Sequence, residues 1–371
     1  MIPLIALVAR PHPYLLEEAR RRGWRLTLVS NYLPREISFQ AALVEGMTET
    51  PVVEELVSHG VKIVRIGIVA HPEGEPYPAV IFDQISQGRL AAEHFRARSF
   101  RHVAYFGNEP WYLSQELFEG FENQAKKTNL ECHLFRQQRI KVEAPEAHRE
   151  RTRDNFLQWI KDLPKPVGLL TPSAIWAERM SFWIYQTGLR IPEDVAILSR
   201  SQRPDVCECC MPTVSEIDTN EEGRIHIACD LIQEFLNGGT PPVGPIQIPP
   251  LEVHVRESTR TLATSDPIAE KAIQFIWENY TMELSVDDIA KEVGVPKRSL
   301  QRVFKNEFNR GVSEEIRRKR IEEVAHLLES TALTLPDICI KTGIRSTSYL
   351  HRAFQATYEM TPSEYRNVHG V

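Results

Sequence analysis

The sequence predicts an α/β domain with parallel sheets followed by an all-α domain with two helix-turn-helix units. Three observations carry that expectation. Short apolar strands alternate with amphipathic helices over residues 1–255, a polar Ser/Thr-rich stretch interrupts the pattern at 256–267, and a helix–glycine–helix pattern then occurs twice. Strands alternating with helices imply βαβ units.

Strands are expected at 4–8, 26–29, 62–66, 79–82, 102–106, 168–170, 195–198 and 245–248, with helices among them at 88–98, 115–128 and 177–187. The strands are short and apolar on both faces, as a sheet covered by helices requires. The apolar start from Ile2 to Ala9 lacks a basic preceding region and a cleavage site, so it reads as the first strand and not as a signal peptide. Residues 256–267 (RESTRTLATSDP) read as a linker ending in a helix start, which divides the chain into domains 1–262 and 263–371.

Helices then follow at 267–280, at 286–293 behind a Ser285 cap with Asp287 and Asp288 in the first turn, and at 297–308. Gly294 supplies the turn between the last two, and Pro296 is expected at the first-turn position, where a missing N–H costs nothing. A long helix, 313–330, carries the run Arg317, Arg318, Lys319, Arg320. The pattern then recurs: a helix at 335–341, Gly343 at the turn, Ser346 as cap and a helix at 347–358. Both second helices contain Leu-x-Arg-x-Phe, beginning at Leu300 and Leu350. In such a unit the second helix enters the major groove of double-stranded DNA.

Composition sets limits. The 371 residues carry 44 Lys+Arg against 50 Asp+Glu, a formal charge of −6, so any nucleic-acid contact must come from a local cluster. Residues 297–320 provide one, with nine basic and three acidic side chains. The exposed face of the first reading helix is expected to present Lys297, Arg298, Gln301, Arg302 and Lys305; that of the second, Thr347, Ser348, His351 and Arg352. Arg and Gln match base-edge acceptors and donors, while Lys neutralises phosphate. No apolar run reaches the ~18 residues of a membrane helix, and a cytoplasmic protein is expected. There is no P-loop, no G-x-G-x-x-G opening a helix, no H-E-x-x-H and no G-x-S-x-G, so nothing points to an enzyme or a cofactor. Cys207, Cys209 and Cys210 form a C-x-C-C cluster that lacks the usual C-x₂-C spacing; buried or incidental cysteines are expected there, and no metal site.

The C-terminal 100 residues resemble the DNA-binding domain of the AraC/XylS family through Gly343-Ile344, Tyr349-Leu350, Ala353-Phe354 and Met360-Thr361-Pro362-Ser363-Glu364-Tyr365-Arg366. The resemblance implies base contacts from Arg298, Gln301 and Arg302, and from Thr347, Ser348 and Arg352, with His351 nearby. Gln355 stands where Lys is usual. Residues 1–262 resemble the two-lobed sensing fold of LacI-type repressors and periplasmic binding proteins. That resemblance rests on Val80-Ile81-Phe82-Asp83-Gln84, His102 through Gly107, Gly120-Phe121 and Gly188-Leu189-Arg190-Ile191-Pro192-Glu193-Asp194-Val195. It implies a ligand in the cleft between lobes, for which Arg10, His12, Asp83, Trp111, Tyr112, Trp176 and Arg200 are candidates. Asp83 could equally cap the helix after it, and Trp111 and Trp176 could equally pack. Three positions where such families place charge carry Leu117, Ala174 and Ser201 instead. Charge-assisted hydrogen bonds contribute roughly 1.5–3 kcal/mol each. The effector is therefore open between another small molecule, a sugar bound by other residues, and none. The implied partners are DNA, a second copy through the α/β domain and, for an activator, RNA polymerase.

Overall fold

A computed structural model describes the chain except for residues 1, 10, 30–32, 34–37, 47–49, 71–73, 75, 109–113, 138–145, 202, 265 and 370–371. The chain divides into two units, Met1–Arg260 and Thr261–Val371. The first begins with β1 (Leu4–Val8), α1 (Pro13–Arg22), β2 (Arg25–Leu28), β3 (Ala41–Glu45), α2 (Pro51–Ser58), β4 (Lys62–Gly67) and β5 (Pro78–Phe82). It crosses into a second lobe with α3 (Gln84–Ala97), β6 (His102–Asn108), α4 (Gln115–Lys127), β7 (Glu131–Gln137), α5 (Glu146–Asp162), β8 (Val167–Thr171), α6 (Ala174–Tyr185), β9 (Val195–Ser201), α7 (Pro204–Cys209) and β10 (Ser215–Asp218). The chain returns with α8 (Glu221–Leu236) and β11 (Gly244–Ile248), then crosses again to β12 (Val253–His254).

Two six-stranded sheets result, ordered β11-β5-β4-β3-β1-β2 and β12-β10-β9-β8-β6-β7. Every pairing is parallel except β10 with β12. The eight expected strands all form. β3, β7, β10 and β12 were not expected: β10 (SEID) and β12 (VH) are short and polar, and β7 is an edge strand with only partial burial. In β5, β8 and β9 every side chain is buried, which reflects helices on both faces.

The expected linker is corrected in its first part. Glu257–Thr259 form a 3₁₀ turn in which Ser258 and Thr259 are buried. Ser258 Oγ donates to Ile197 O (2.6 Å), Arg98 Nε donates to Thr259 O (3.0 Å), and His94 Nε2 lies 3.0 Å from Thr259 Oγ1. The polar composition of this stretch satisfies buried partners. Leu262 then joins the core of the second unit.

That second unit consists of α9 (Pro267–Asn279), α10 (Val286–Val293), α11 (Lys297–Phe308), α12 (Val312–Ser330), α13 (Leu335–Thr342), α14 (Thr347–Tyr358) and α15 (Pro362–His369). It has two cores. Ala269, Ala272, Ile273, Ile276, Ile289, Leu300 and Phe304 build the first, while Ile338, Ile344, Leu350, Phe354 and Tyr365 build the other. α12 serves both, with Val312 and Ile316 in the first and Ile321, Val324, Ala325 and Leu328 in the second. The buried Val, Leu, Ile and Phe side chains among these contribute roughly 1.5–3 kcal/mol each.

Candidate DNA-reading helices and interlobe cleft

The local chemistry of the first helix-turn-helix follows its caps. Ser285 Oγ accepts from Asp288 N (3.2 Å) while Asp288 Oδ2 accepts from Ser285 N (3.0 Å), a reciprocal box that starts α10. Gly294 ends it at φ +82°, a left-handed conformation that glycine adopts without strain. Pro296 is the N-cap of α11, one position earlier than expected. Leu300 and Phe304 turn inward, so Lys297, Arg298, Gln301, Arg302 and Lys305 share the exposed face. Among the described residues Arg298, Gln301 and Arg302 have no intramolecular partner, whereas Lys297 Nζ donates to Asp287 (2.7 Å) and Lys305 Nζ to Asn309 O (3.2 Å).

The second unit repeats this plan. Thr334 Oγ1 donates to Asp337 Oδ2 (2.5 Å) at the start of α13, Gly343 (φ +68°) ends it, and Ser346 Oγ accepts from Tyr349 N (3.3 Å) at the start of α14. Ser348 and Arg352 are exposed; Thr347 and His351 are half-buried. Reading-helix residues of both units thus stand on solvent faces held by separate cores.

The basic run on α12 has a different role from the one its charge suggested. Arg318 pairs with the buried Glu315 (2.8 Å), which also accepts from Arg310 Nε (2.7 Å). Lys319 is buried, with its Nζ 5.1 Å from the centre of the Trp277 ring and 3.7 Å from Glu323. Arg320 donates to Tyr280 O and Met282 O, both at 2.7 Å. Only Arg317 of the four is exposed. Lys319 and Arg320 fasten α12 to α9 and the segment after it, and Arg345 pairs with Glu283 from that segment.

In the first unit of the chain a cleft of about 1090 Å³ lies at the carboxyl ends of strands from both sheets. Ligand crevices occupy that position in open α/β folds. Its walls include His12, Tyr14, Glu45, Ser201, Asp218, Glu221, Arg224 and His254. The His12 and Tyr14 rings stack at 5.1 Å. Arg224 is buried, donates to Glu221 Oε1 (2.5 Å) and lies over the Phe82 ring at 4.5 Å. The carboxylates of Glu216 (3.9 Å), Glu252 (3.7 Å) and Asp218 (3.7 Å) surround the His254 imidazole and push it up to about 10.

A helix-turn-helix domain model matches residues 289–367 and a periplasmic binding protein-like domain model matches residues 92–259. The HTH-type transcriptional activator AarP of Providencia stuartii is 38% identical over 99 residues, 27% of this chain and 73% of that protein. The chain belongs to the AraC/XylS family of transcriptional regulators. Its whole arrangement is similar to the xylose operon regulatory protein of Escherichia coli K12, 21% identical over 373 residues and covering 95% of this chain and 91% of that one. A solved structure of a xylose-binding transcription activator, XylR, superimposes with a TM-score of 0.62 at 18% identity, covering 100% and 99% of the two chains. No helix among the described residues is long and apolar enough to cross a membrane.

Within this AraC/XylS regulator, His12 alone among the described ligand candidates lines the cleft. Arg10, Trp111 and Tyr112 lie outside the described residues. Asp83 takes the helix-cap alternative: it accepts from Ser86 N (2.9 Å) and Ser86 Oγ (2.5 Å). Trp176 packs on Phe106 at 4.8 Å in the second-lobe core. Arg200 is buried and donates to Pro172 O (2.9 Å). Burial, reinforced by Arg224 and opposed by Tyr105, lowers its pKa. Leu117 and Ala174 are buried, whereas Ser201 reaches the cleft wall and accepts from Arg203 N (2.9 Å). The remaining wall residues arise from strand ends, loops and helix starts with no shared spacing, so no sequence pattern marks them. Cys207 and Cys210 are buried around α7, and burial pushes their thiols up to about 12 and 11. Thiols held that far from ionisation are poor metal ligands and nucleophiles.

Proposed function

We propose that this regulator binds a specific duplex operator through α11 and α14 together, and that a small polar effector in the interlobe cleft controls that binding. One observation carries the reading: Arg298, Gln301 and Arg302 on one helix, and Ser348 and Arg352 on the other, are exposed side chains without intramolecular partners among the described residues. In the proposal Arg298, Gln301, Arg302, Thr347, Ser348 and Arg352 contact bases, with His351 beside them, while Lys297 and Lys305 contact phosphate. Residues 263–371 act as the DNA-binding domain, and residues 1–262 sense the effector and form a homodimer. RNA polymerase is the further partner if the protein activates, and the chain catalyses no reaction. The cleft's mixture of carboxylates, cations and the His12–Tyr14 stack suits a polyhydroxy or similarly polar metabolite, sugars included.

Footprinting on the DNA upstream of its own gene, with and without candidate metabolites, tests the reading. Arg302→Ala and Arg352→Ala should each cost about 1–3 kcal/mol, concentrated at one base position. Equal operator binding by wild type and both variants would refute the assignment of the reading faces.

A further inference from the structure

A second kind of chemistry sits at the opposite end of the second-lobe sheet from the cleft. The register of β6 with β7 sets His102 against Glu131, and Ala104 against His133. His102 is thus two residues along its strand from the partner of His133. Alternation places side chains two apart on the same sheet face. His102, Glu131 and His133 thereby converge, although 29 residues separate the first from the second in the chain. His102 Nδ1 lies 3.4 Å from Glu131 Oε2, and His133 Nε2 lies 3.8 Å from Glu131 Oε1. The two rings stack at 5.8 Å with an interplanar angle of 30°.

We propose that His102, Glu131 and His133 form a binding site for a divalent transition metal of borderline softness, zinc or nickel being the fitting class. The three ligand atoms lie within 4.8 Å of one another, the one grouping of three or more His, Cys, Asp or Glu side chains among the described residues that does so. Tetrahedral bonds of ~2.0–2.1 Å place ligand atoms about 3.3 Å apart, so closure needs a shift of roughly an ångström and a half. Glu131 is exposed and already lies within 3.8 Å of a ring nitrogen of each histidine. His102 Nδ1 and His133 Nε2 are shielded from solvent without a hydrogen-bond partner, a cost that a metal bond would remove. A metal requires neutral imidazoles, and Lys165 is a cation near His133. Lys165 itself is held away, its Nζ donating to Ile160 O (2.5 Å) and Leu163 O (2.6 Å). Two imidazoles and one carboxylate leave a fourth position open to water.

Binding here would staple the edge strand β7 to β6. It is independent of the cleft and of the reading helices, so operator binding can fail while the metal site stands. The test uses the untagged full-length protein, stripped with chelator and titrated with zinc chloride, and with cobalt chloride as a spectroscopic probe. One zinc per chain should be retained through gel filtration, visible cobalt d–d bands should appear, and the melting temperature should rise with zinc. The double variant H102A/H133A should lose the retained zinc and the bands. E131Q, which leaves both rings in place, should weaken zinc binding at least tenfold. Retained zinc equal in wild type and the double variant, or no zinc retained by wild type, would overturn the proposal.

Discussion

The two helix-turn-helix units share a blueprint and differ in what they offer DNA and in how they are supported. Both place Leu and Phe of Leu-x-Arg-x-Phe in a core at zero exposure, and both reading helices end in a left-handed residue, Asn309 or Glu359. The first reading face is cationic, with Lys297, Arg298, Arg302 and Lys305; the second has Arg352 as its one permanent charge among hydroxyls and His351. In the proposed complex this difference would put phosphate anchoring, through Lys297 and Lys305, on α11 and leave α14 to hydrogen-bonded selection. The two halves share α12, which contributes to both cores. Leu300→Ala and Leu350→Ala are the harshest way to test that sharing. Each should cost about 2–5 kcal/mol in denaturant unfolding. If α12 couples the halves, either variant weakens protection over both operator segments. Should Leu350→Ala leave protection by α11 intact in footprinting, the halves are independent.

The two turns offer a finer contrast. Gly294 and Gly343 both have positive φ, so alanine at either is strained by about 1–2 kcal/mol. A Cβ on Gly294 meets open space, whereas one on Gly343 would stand 2.3 Å from Thr281 O, in the segment that Arg320 also clamps. Backbone must move there, adding roughly 1–3 kcal/mol. Gly343→Ala should therefore lower the melting temperature clearly more than Gly294→Ala. Equal shifts would mean that the second turn does not bear on the first unit.

Charge separates the reading faces more gently. Replacing Lys297 or Lys305 with Ala should reduce the slope of log affinity against log salt by about one, because the proposal places both on phosphate. Ser348→Ala should leave the slope unchanged while relaxing selection at one base. A salt slope unchanged by both Lys variants would erase the proposed division of labour.

What was legible follows from periodicity. Leu300, Phe304, Leu350 and Phe354 recur at helical spacing, so the outward residues could be named from the inward ones. The eight apolar strands were visible for the same kind of reason. β7, β10 and β12 were not, because a strand made stable by its neighbours need not look apolar. The charge run 317–320 misled because composition reports charge and not its partners: Glu315 and the carbonyls of Tyr280 and Met282 claim most of it. The cleft was least legible. Its wall is assembled from the turn after β1, the ends of β9 and β10 and the start of α8, and tertiary folding alone brings these together. Asp83 and Trp176 were sensible candidates by type, yet a cap and a core claimed them.

The smallest contrast lies at the starts of the reading helices. Ser346 caps α14 by accepting from Tyr349 N (3.3 Å), while Pro296 begins α11 with a fixed φ of −59° and no side-chain hydrogen bond. One helix start is held by a polar contact and the other by restricted chain entropy. Ser346→Ala should cost about 1 kcal/mol, because it leaves an N–H of the first turn without its acceptor. Water reaches that exposed end and compensates in part, which keeps the cost modest. Since Thr347 and Ser348 occupy the same first turn, fraying there should weaken operator binding while the α11 footprint persists. A Ser346→Ala variant with unchanged melting temperature and unchanged protection beneath α14 would show that the core around Leu350 and Phe354 positions the helix start without its cap.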